Sequence, residues 1–424
     1  MSKKLLDLSI EKLVYGGYGF TLHEGKAYFV RYTAPKELVR AEIIKEKRDY
    51  SEATAKEIIV PSNSRREAKC IYYGYCGGCQ LQHIDYDQQV SAKEEILIES
   101  LERIGKVKDI NLSESLKSPS EFNYRIRVQF KVSEKKLGFF AWDSTEVVDV
   151  DECPVLHEKL NKMIPKLKEL VREVMDIKEI HLLYSPFRDE YLCKLISTTS
   201  LDRNALRRIK EEFLGEKVAG VGSYARMRHG LHGRSYVGRD HTYIKVNDMI
   251  FRVSNDSFLQ SNYTLWGEMI KAVTEDVTFR KALDIHCGIG FFTIPLAKKG
   301  HFIEGSDINL KSIKDAEYNR TLNGIDNVSF VRASAYYQLK SRLGEIIDLV
   351  VLDPPRAGLE HGETELLLEL KPEKIIYISC NPSTLARDIG ILTREKYDLI
   401  YTRVIDLFPQ SYHIESVSFL KLKE

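Results

Sequence analysis

Apolar and β-branched residues come in short bursts over the first sixty positions. Runs at 8–14, 27–32, 38–44 and 53–60 are separated by Gly16-Gly17-Tyr18-Gly19, by 23–26 and by Ala34-Pro35. Short runs broken by glycine and proline predict strands, and several at this spacing predict a small barrel. Pro61-Ser62-Asn63-Ser64-Arg65-Arg66 reads as a linker. The period then changes. From Asp85 to Gly105, Val90, Leu97, Leu101 and Ile104 share one stripe, which predicts an amphipathic helix stopped by Gly105. Strand-like stretches follow at 124–132, 146–150, 180–184 and 190–197, with a helical pattern at 158–175.

After residue 253 strand and helix patterns alternate. Strands are expected at 282–285, 302–305, 328–332, 348–352, 374–379, 399–405 and 416–422. That rhythm calls for a doubly wound sheet covered on both faces. The expected fold class is therefore α/β, in three parts: a small β-barrel over 1–61, a central α+β domain over 62–252, and a Rossmann-like domain over 253–424.

Composition narrows the picture. A chain of 424 residues is about three domains at roughly 100–200 residues each. Hydrophobic content of 43% excludes wholesale disorder. Lys and Arg (63) nearly cancel Asp and Glu (62), which excludes a protein basic throughout but not a local basic face. Such a stretch exists: 217–239 has no acid, and carries Lys217, Arg226, Arg228, His229, His232, Arg234 and Arg239 among five glycines. It reads as a loop, either simply solvated or holding phosphates. No apolar run reaches the roughly 18 residues that span a bilayer. The first residues, Met1-Ser-Lys-Lys-Leu-Leu-Asp7, lack an export core, so a cytoplasmic protein is expected. Seven cysteines without an export signal point to reduced thiols that bind metal or do chemistry.

Leu283-Asp-Ile-His-Cys-Gly-Ile-Gly290 places a strand, Gly288 and Gly290, then an apolar helix. Glycines there let a ligand approach backbone at a helix start. Neither the phosphate-loop pattern nor a third dinucleotide-type glycine is present, so those two cofactor classes lose ground. Asp307 ends the second strand, Asp353 the fourth and Cys380 the fifth. Ligands of doubly wound sheets sit beyond these strand ends. Any one such residue serves equally well as a turn or cap, but four at four ends point to a binding crevice. Elsewhere Cys70, Cys76, Cys79 and Cys153 supply four thiolates, suited by spacing to zinc or to an iron–sulfur cluster. Cys193 and Cys287 are expected to pack. Tyr124-Arg125-Ile126-Arg127 puts Arg125 and Arg127 on one side of a strand. Tyr15, Tyr18, Phe20 and Tyr28 are available for base stacking or for the barrel core.

Asp353-Pro-Pro-Arg-Ala-Gly358, Ser379-Cys-Asn-Pro-Ser-Thr384 and Phe408-Pro-Gln-Ser-Tyr-His-Ile-Glu415 resemble the RNA (uracil-5-)-methyltransferases. These are class I S-adenosylmethionine-dependent enzymes. Phe258-Leu-Gln260-Ser-Asn262 resembles the family's segment ahead of the first strand, and the likeness runs over essentially the whole chain. The cysteine set, with Asp151-Glu152-Cys153-Pro154, resembles the iron–sulfur branch, and 1–61 a TRAM-type barrel. The resemblance implies an S-adenosylmethionine site lined by Gln260, His286, Gly288, Gly290, Asp307 and Asp353, with Phe291 near it. It implies a [4Fe–4S] cluster on the four cysteines, Cys380 as nucleophile, Glu415 as general base, and RNA contacts at Arg125 and Arg127. His286 stands where an aromatic is usual, and Ser334 where an acid or amide is common.

The implied substrate is a uridine in structured RNA, with 23S rRNA favoured and the tRNA T-loop as alternative. The target base would lie in a loop or be flipped out. No membrane and no obligate protein partner is expected, and a monomer is anticipated. An adenine amino-methyltransferase would leave Cys380 without work, and an iron–sulfur RNA-binding or electron-transfer protein would leave the crevice unexplained.

Overall fold

A computed structural model describes residues 4–174, 176–227 and 230–424, with backbone alone for 226–227 and 230–234. Arg228 and His229 of the basic stretch lie outside the described residues, as do the side chains of Arg226, His232 and Arg234.

The first sheet holds β1 (Leu5–Ser9), β2 (Lys12–Val14), β3 (Tyr18–His23), β4 (Lys26–Arg31), β5 (Leu38–Glu46) and β6 (Tyr50–Val60), in the order β1-β5-β6-β4-β3-β2. The outermost members, β1 and β2, are consecutive along the chain, so the sheet rolls onto itself. Leu8, Ile10, Tyr28, Val30, Val39, Ala41 and Ala53 fill it. The expected run at 8–14 is thus two strands. β3 was read as part of a separator, because Gly16 and Gly17, both with positive φ, make the turn just before it.

Tyr86–Arg103 forms the expected helix, capped by the Asp85 side chain accepting from Gln88 N–H. Val90, Leu97 and Leu101 are buried. Ile104 leaves the stripe and is exposed, because the helix has already ended. The buried face packs on the helix Pro382–Glu395 of the C-terminal unit.

The central sheet holds β7 (Arg127–Ser133), β8 (Lys136–Phe140), β9 (Val147–Asp149), β10 (Ile177–Ser185), β11 (Glu190–Ser197), β12 (Val218–Met227) and β13 (Gly230–Gly238), ordered β13-β12-β11-β10-β7-β8-β9. The helical pattern at 158–175 resolves into Glu158–Asn161 and Ile164–Glu173, with Pro165 opening the second. The described residues of the stretch at 217–239 do not form a loop. They form the antiparallel pair β12–β13 at the sheet edge.

β14 (His241–Val246) and β15 (Met249–Ser254) form a hairpin. Its backbone is held by the helix Leu310–Leu322: Arg252 N–H donates to Asn319 Oδ1 (2.6 Å) and Ser254 N–H to Asp315 Oδ2 (2.8 Å). The hairpin therefore belongs with the C-terminal unit, and the expected boundary at 252/253 cuts through β15.

The last sheet holds β16 (Phe279–Ile285), β17 (Gly300–Asp307), β18 (Val328–Arg332), β19 (Leu349–Leu352), β20 (Lys374–Ser379), β21 (Tyr397–Ile405) and β22 (Glu415–Leu422). The order is β18-β17-β16-β19-β20-β22-β21, parallel except for β22. β19 and β20 are mostly apolar, and the last four residues of β16 are buried, as expected of strands covered on both faces. Chain direction across the sheet reverses between β16 and β19, which opens a crevice at their carboxyl ends. Among the described residues no helix is long and apolar enough to cross a membrane.

Candidate active site

His286, Asp307, Asp353 and Cys380 stand at the ends of β16, β17, β19 and β20. Asp307 is fixed by two backbone donors, Gly288 N–H to Oδ2 (3.1 Å) and Asn309 N–H to Oδ1 (2.7 Å). The chain turns here through left-handed backbone at His286 (φ 64°), Gly288 (56°) and Gly290 (79°). For a histidine that conformation costs about 1–3 kcal/mol, a strain the fold carries at the crevice floor. Burial holds the His286 imidazole below its ordinary pKa, against the opposing pull of Asp307 and Glu360. Gln260 is buried on the segment leading into the helix Trp266–Thr274, and its carbonyl accepts from Trp266 Nε1 (3.0 Å). The Phe291 ring lies in an aromatic cluster with Phe251, Trp266 and Phe292. Ser334 caps the helix Ala335–Ser341.

One carboxylate escaped the sequence reading because it sits inside a strand. Asp284 is fully buried; Oδ2 accepts from Thr293 Oγ1 (2.5 Å), while Oδ1 has no partner. Burial pushes its carboxyl up to about 7, with Asp353 and Asp307 adding to the rise. Asp353 is likewise pushed up to about 7, by burial and then by Asp307. A crevice of mutually repelling acids is ready to take a cation.

β20 and β22 run antiparallel with Ser379 opposite Ser416, and this register sets Cys380 against Glu415. Asn381 caps the helix Pro382–Glu395 and donates Nδ2–H to the Arg356 carbonyl (3.0 Å), tying the cysteine turn to the Asp-Pro-Pro-Arg turn. Burial and then Glu415 push the Cys380 thiol up to about 11, Arg356 pulls it down, and Asp353 adds to the rise. Glu415, 2% exposed, is held well above the carboxylate range by burial and by Asp353. His413 is pushed down to about 3 by burial and by Arg356, Arg125 and Lys93. Its neutral ring can therefore accept from Arg356 at Nδ1 (3.4 Å). The N-terminal sheet reaches this wall: the Tyr15 ring meets Tyr412 edge-on (5.4 Å), and Tyr412 leans on His413 (4.3 Å). Of the other three N-terminal aromatics, Tyr28 is core, Tyr18 contacts Trp142, and Phe20 contacts Phe29.

Cys70, Cys76, Cys79 and Cys153 line one cavity of about 100 Å³, together with Tyr124 and Arg125. Burial raises all four thiols, Cys79 to about 12. Among the described residues no three His, Cys, Asp or Glu side chains gather closely enough for one ion. Four thiolates on a single zinc would stand about 3.8 Å apart, given Zn–S near 2.3 Å. Cys193 and Cys287 are buried and pack.

The two arginines do not form an exposed strand face. Arg125 precedes β7, lies over the Phe408 ring (5.7 Å), and keeps Nε buried without a partner. Arg127, half-buried, donates to the Ser257 carbonyl (2.7 Å). Arg125 and Arg127 alternate with the buried Tyr124, Ile126 and Val128, so both lie on the same, half-buried side of the chain.

The family model for tRNA (Uracil-5-)-methyltransferase matches residues 85–423. A relative from Aquifex aeolicus, described as an uncharacterized RNA methyltransferase, is 51% identical over 425 residues and covers 100% of both chains. The 23S rRNA (uracil(1939)-C(5))-methyltransferase RlmD of Shewanella sediminis is 31% identical, covering 98% of this chain and 95% of its own. Among solved structures, the Pyrococcus abyssi tRNA (uracil-54, C5)-methyltransferase in complex with S-adenosyl-L-homocysteine superposes with a TM-score of 0.76. It has 25% identity and covers 98% of this chain and 100% of its own.

Proposed function

This chain belongs to the tRNA (uracil-5-)-methyltransferase family, and we propose that it methylates carbon 5 of a uridine in structured RNA through a covalent adduct on Cys380. The observation that carries the reading is the register of β20 on β22, which sets the Cys380 thiol against the Glu415 carboxyl beside the acidic crevice.

Carbon 5 of uracil is a poor nucleophile. Cys380 thiolate adds to carbon 6, and the electron pair it displaces makes carbon 5 an enolate carbon that takes the methyl group. S-adenosylmethionine, held by Gln260, His286, the Gly288–Gly290 turn, Asp307 and Asp353, supplies that methyl on a sulfonium. Glu415, once a cation in the crevice favours its ionised form, then accepts the proton from carbon 5, the carbon–sulfur bond to Cys380 breaks, and the double bond returns. In the free protein the thiol stays protonated at neutral pH, because three carboxyl-derived and burial effects outweigh Arg356. A cation bound beside Asp353 would favour the thiolate, so nucleophile activation is coupled to filling the crevice.

Cys70, Cys76, Cys79 and Cys153 would hold a [4Fe–4S] cluster, a reading supported by the all-thiol donor set around one cavity. The methyl transfer needs no electron, so the cluster's work is structural. The N-terminal sheet acts as a TRAM-type RNA-binding module, and Tyr15 is its foothold in the crevice. Ribosomal RNA is the favoured substrate because the RlmD relative covers nearly the whole chain. The Pyrococcus abyssi structural match keeps the T-loop uridine of tRNA as the second reading.

The test is adduct trapping. Cys380→Ala should lose methylation and still bind the methyl donor, while Glu415→Gln should accumulate a covalent RNA–protein species. Near-normal turnover by Cys380→Ala would end the covalent mechanism; absence of adduct in Glu415→Gln would end the base assignment.

A further inference from the structure

Gln410 sits midway along the loop 406–414, and the loop delivers His413 and Glu415 to the crevice. It is 0% exposed and has left-handed backbone (φ 73°), a conformation that a non-glycine residue holds only where its surroundings impose it. Six hydrogen bonds do so. Its carbonyl accepts from Gln80 N–H (3.0 Å) and Leu81 N–H (2.9 Å), and its own N–H donates to Gln89 Oε1 (2.9 Å). Its Oε1 accepts from Arg66 and from Gln89 Nε2 (3.1 Å each), and Nε2 donates to Glu121 Oε2 (3.0 Å).

The partners come from the segment that follows Cys79, the linker, the helix Tyr86–Arg103 and the 115–123 stretch. Neighbouring residues repeat the pattern. Tyr124, in the wall of the cysteine cavity, donates to the Pro409 carbonyl (2.9 Å), and Ser411 lines that cavity. Gln80 donates Nε2–H to Gly77 O (2.6 Å), between Cys76 and Cys79, and its Oε1 accepts from Tyr412 N–H (3.4 Å). One face of this loop is the wall of the cysteine site and the other leads to the catalytic pair.

We propose that Gln410 is a positioning residue, the joint through which the Cys70–Cys79 segment fixes the loop that presents His413 and Glu415 to the target base. The proposal rests on the roles given above to Cys380 and Glu415. It gives the cysteine site its function: the site acts on catalysis through loop geometry, with no electron transferred.

The test uses the full-length protein. Gln410→Ala should lower kcat by roughly 10–100-fold, as for a displacement of about 1 Å, while the Kd for S-adenosylmethionine stays within about twofold. The steady-state RNA adduct should rise above wild type, because proton removal by Glu415 slows, and the iron content should not change. Gln410→Glu sets a carboxylate against Glu121 and should also lose kcat. Adding Glu121→Gln reverses donor and acceptor, and should restore kcat to within about threefold of wild type. Unchanged kcat in Gln410→Ala or Gln410→Glu would overturn the proposal. So would a parallel loss of methyl-donor affinity, or a charge-swapped pair that fails to recover, either of which marks a general folding role. Should Gln410→Ala not fold, the Glu121/Gln410 pair decides alone. The wild-type control reports uridine methylation directly, so failure of the functional reading shows there and failure of the joint shows only in the variants.

Discussion

The acidic crevice makes methyl-donor binding depend on pH in a calculable way. Asp353 titrates near 7 in the free protein, raised by burial and by Asp307. A bound sulfonium favours its ionised form. If the pKa falls well below 6 in the complex, binding is about tenfold tighter at pH 8 than at pH 6, or about 1.4 kcal/mol for one proton released. Asp284, also near 7, belongs to the same repelling set and steepens the dependence. The sign for folding is opposite. A carboxyl whose folded pKa is raised favours the folded state at low pH and loses that contribution as pH climbs through about 7, and the bound cation returns it. Calorimetric titration of S-adenosylmethionine at three pH values, in two buffers of different ionisation enthalpy, reads both affinity and proton release. Asp353→Asn should flatten the curve near its low-pH value, and S-adenosylhomocysteine, which lacks the sulfonium charge, should show a shallower slope. An affinity independent of pH in the wild type, or an equal slope in Asp353→Asn, would refute the electrostatic account of the crevice.

Other consequences are as direct. Lys93 Nζ and Asp406 Oδ1 meet at 2.6 Å with 1% and 0% side-chain exposure. Lys93→Met should cost about 3–5 kcal/mol in denaturant unfolding, and Lys93→Met with Asp406→Leu should recover most of it; an equal loss in the double variant would contradict an ion-pair origin. Tyr15→Ala should raise KM for RNA and leave the Kd for S-adenosylmethionine unchanged, because the ring packs on Tyr412 at the crevice wall; unchanged KM would remove the N-terminal sheet from the site. Elemental analysis should find iron rather than zinc, lost in Cys153→Ala, with brown absorbance near about 400 nm; zinc at one ion per chain would overturn the cluster.

The parts of the fold that the sequence revealed share a physical cause. β16 to β22 are buried on both faces or on one, so their apolar runs stand out, and the helix Tyr86–Arg103 has an acidic cap and a clean stripe. β12 and β13 were hidden because glycine there marks close approach rather than a loop. A Cβ at Gly222 would meet the Tyr236 ring at 2.6–2.9 Å. The polar residues at strand ends were legible because the topology of doubly wound sheets leaves only those positions to a ligand. Asp284, Lys93 and Gln410 were not legible. Their significance lies in partners up to 344 residues away, as between Arg66 and Gln410, and no local pattern records such a pairing.

The central claim is chemical: a methyl group placed on carbon 5 of uracil. The most direct measurement is mass spectrometry of nucleosides from RNA lacking the modification, after incubation with the protein and deuterated-methyl S-adenosylmethionine. Labelled 5-methyluridine is expected, mapped to 23S rRNA. Label on an adenine amino group or on ribose, or no label in any RNA, would contradict it.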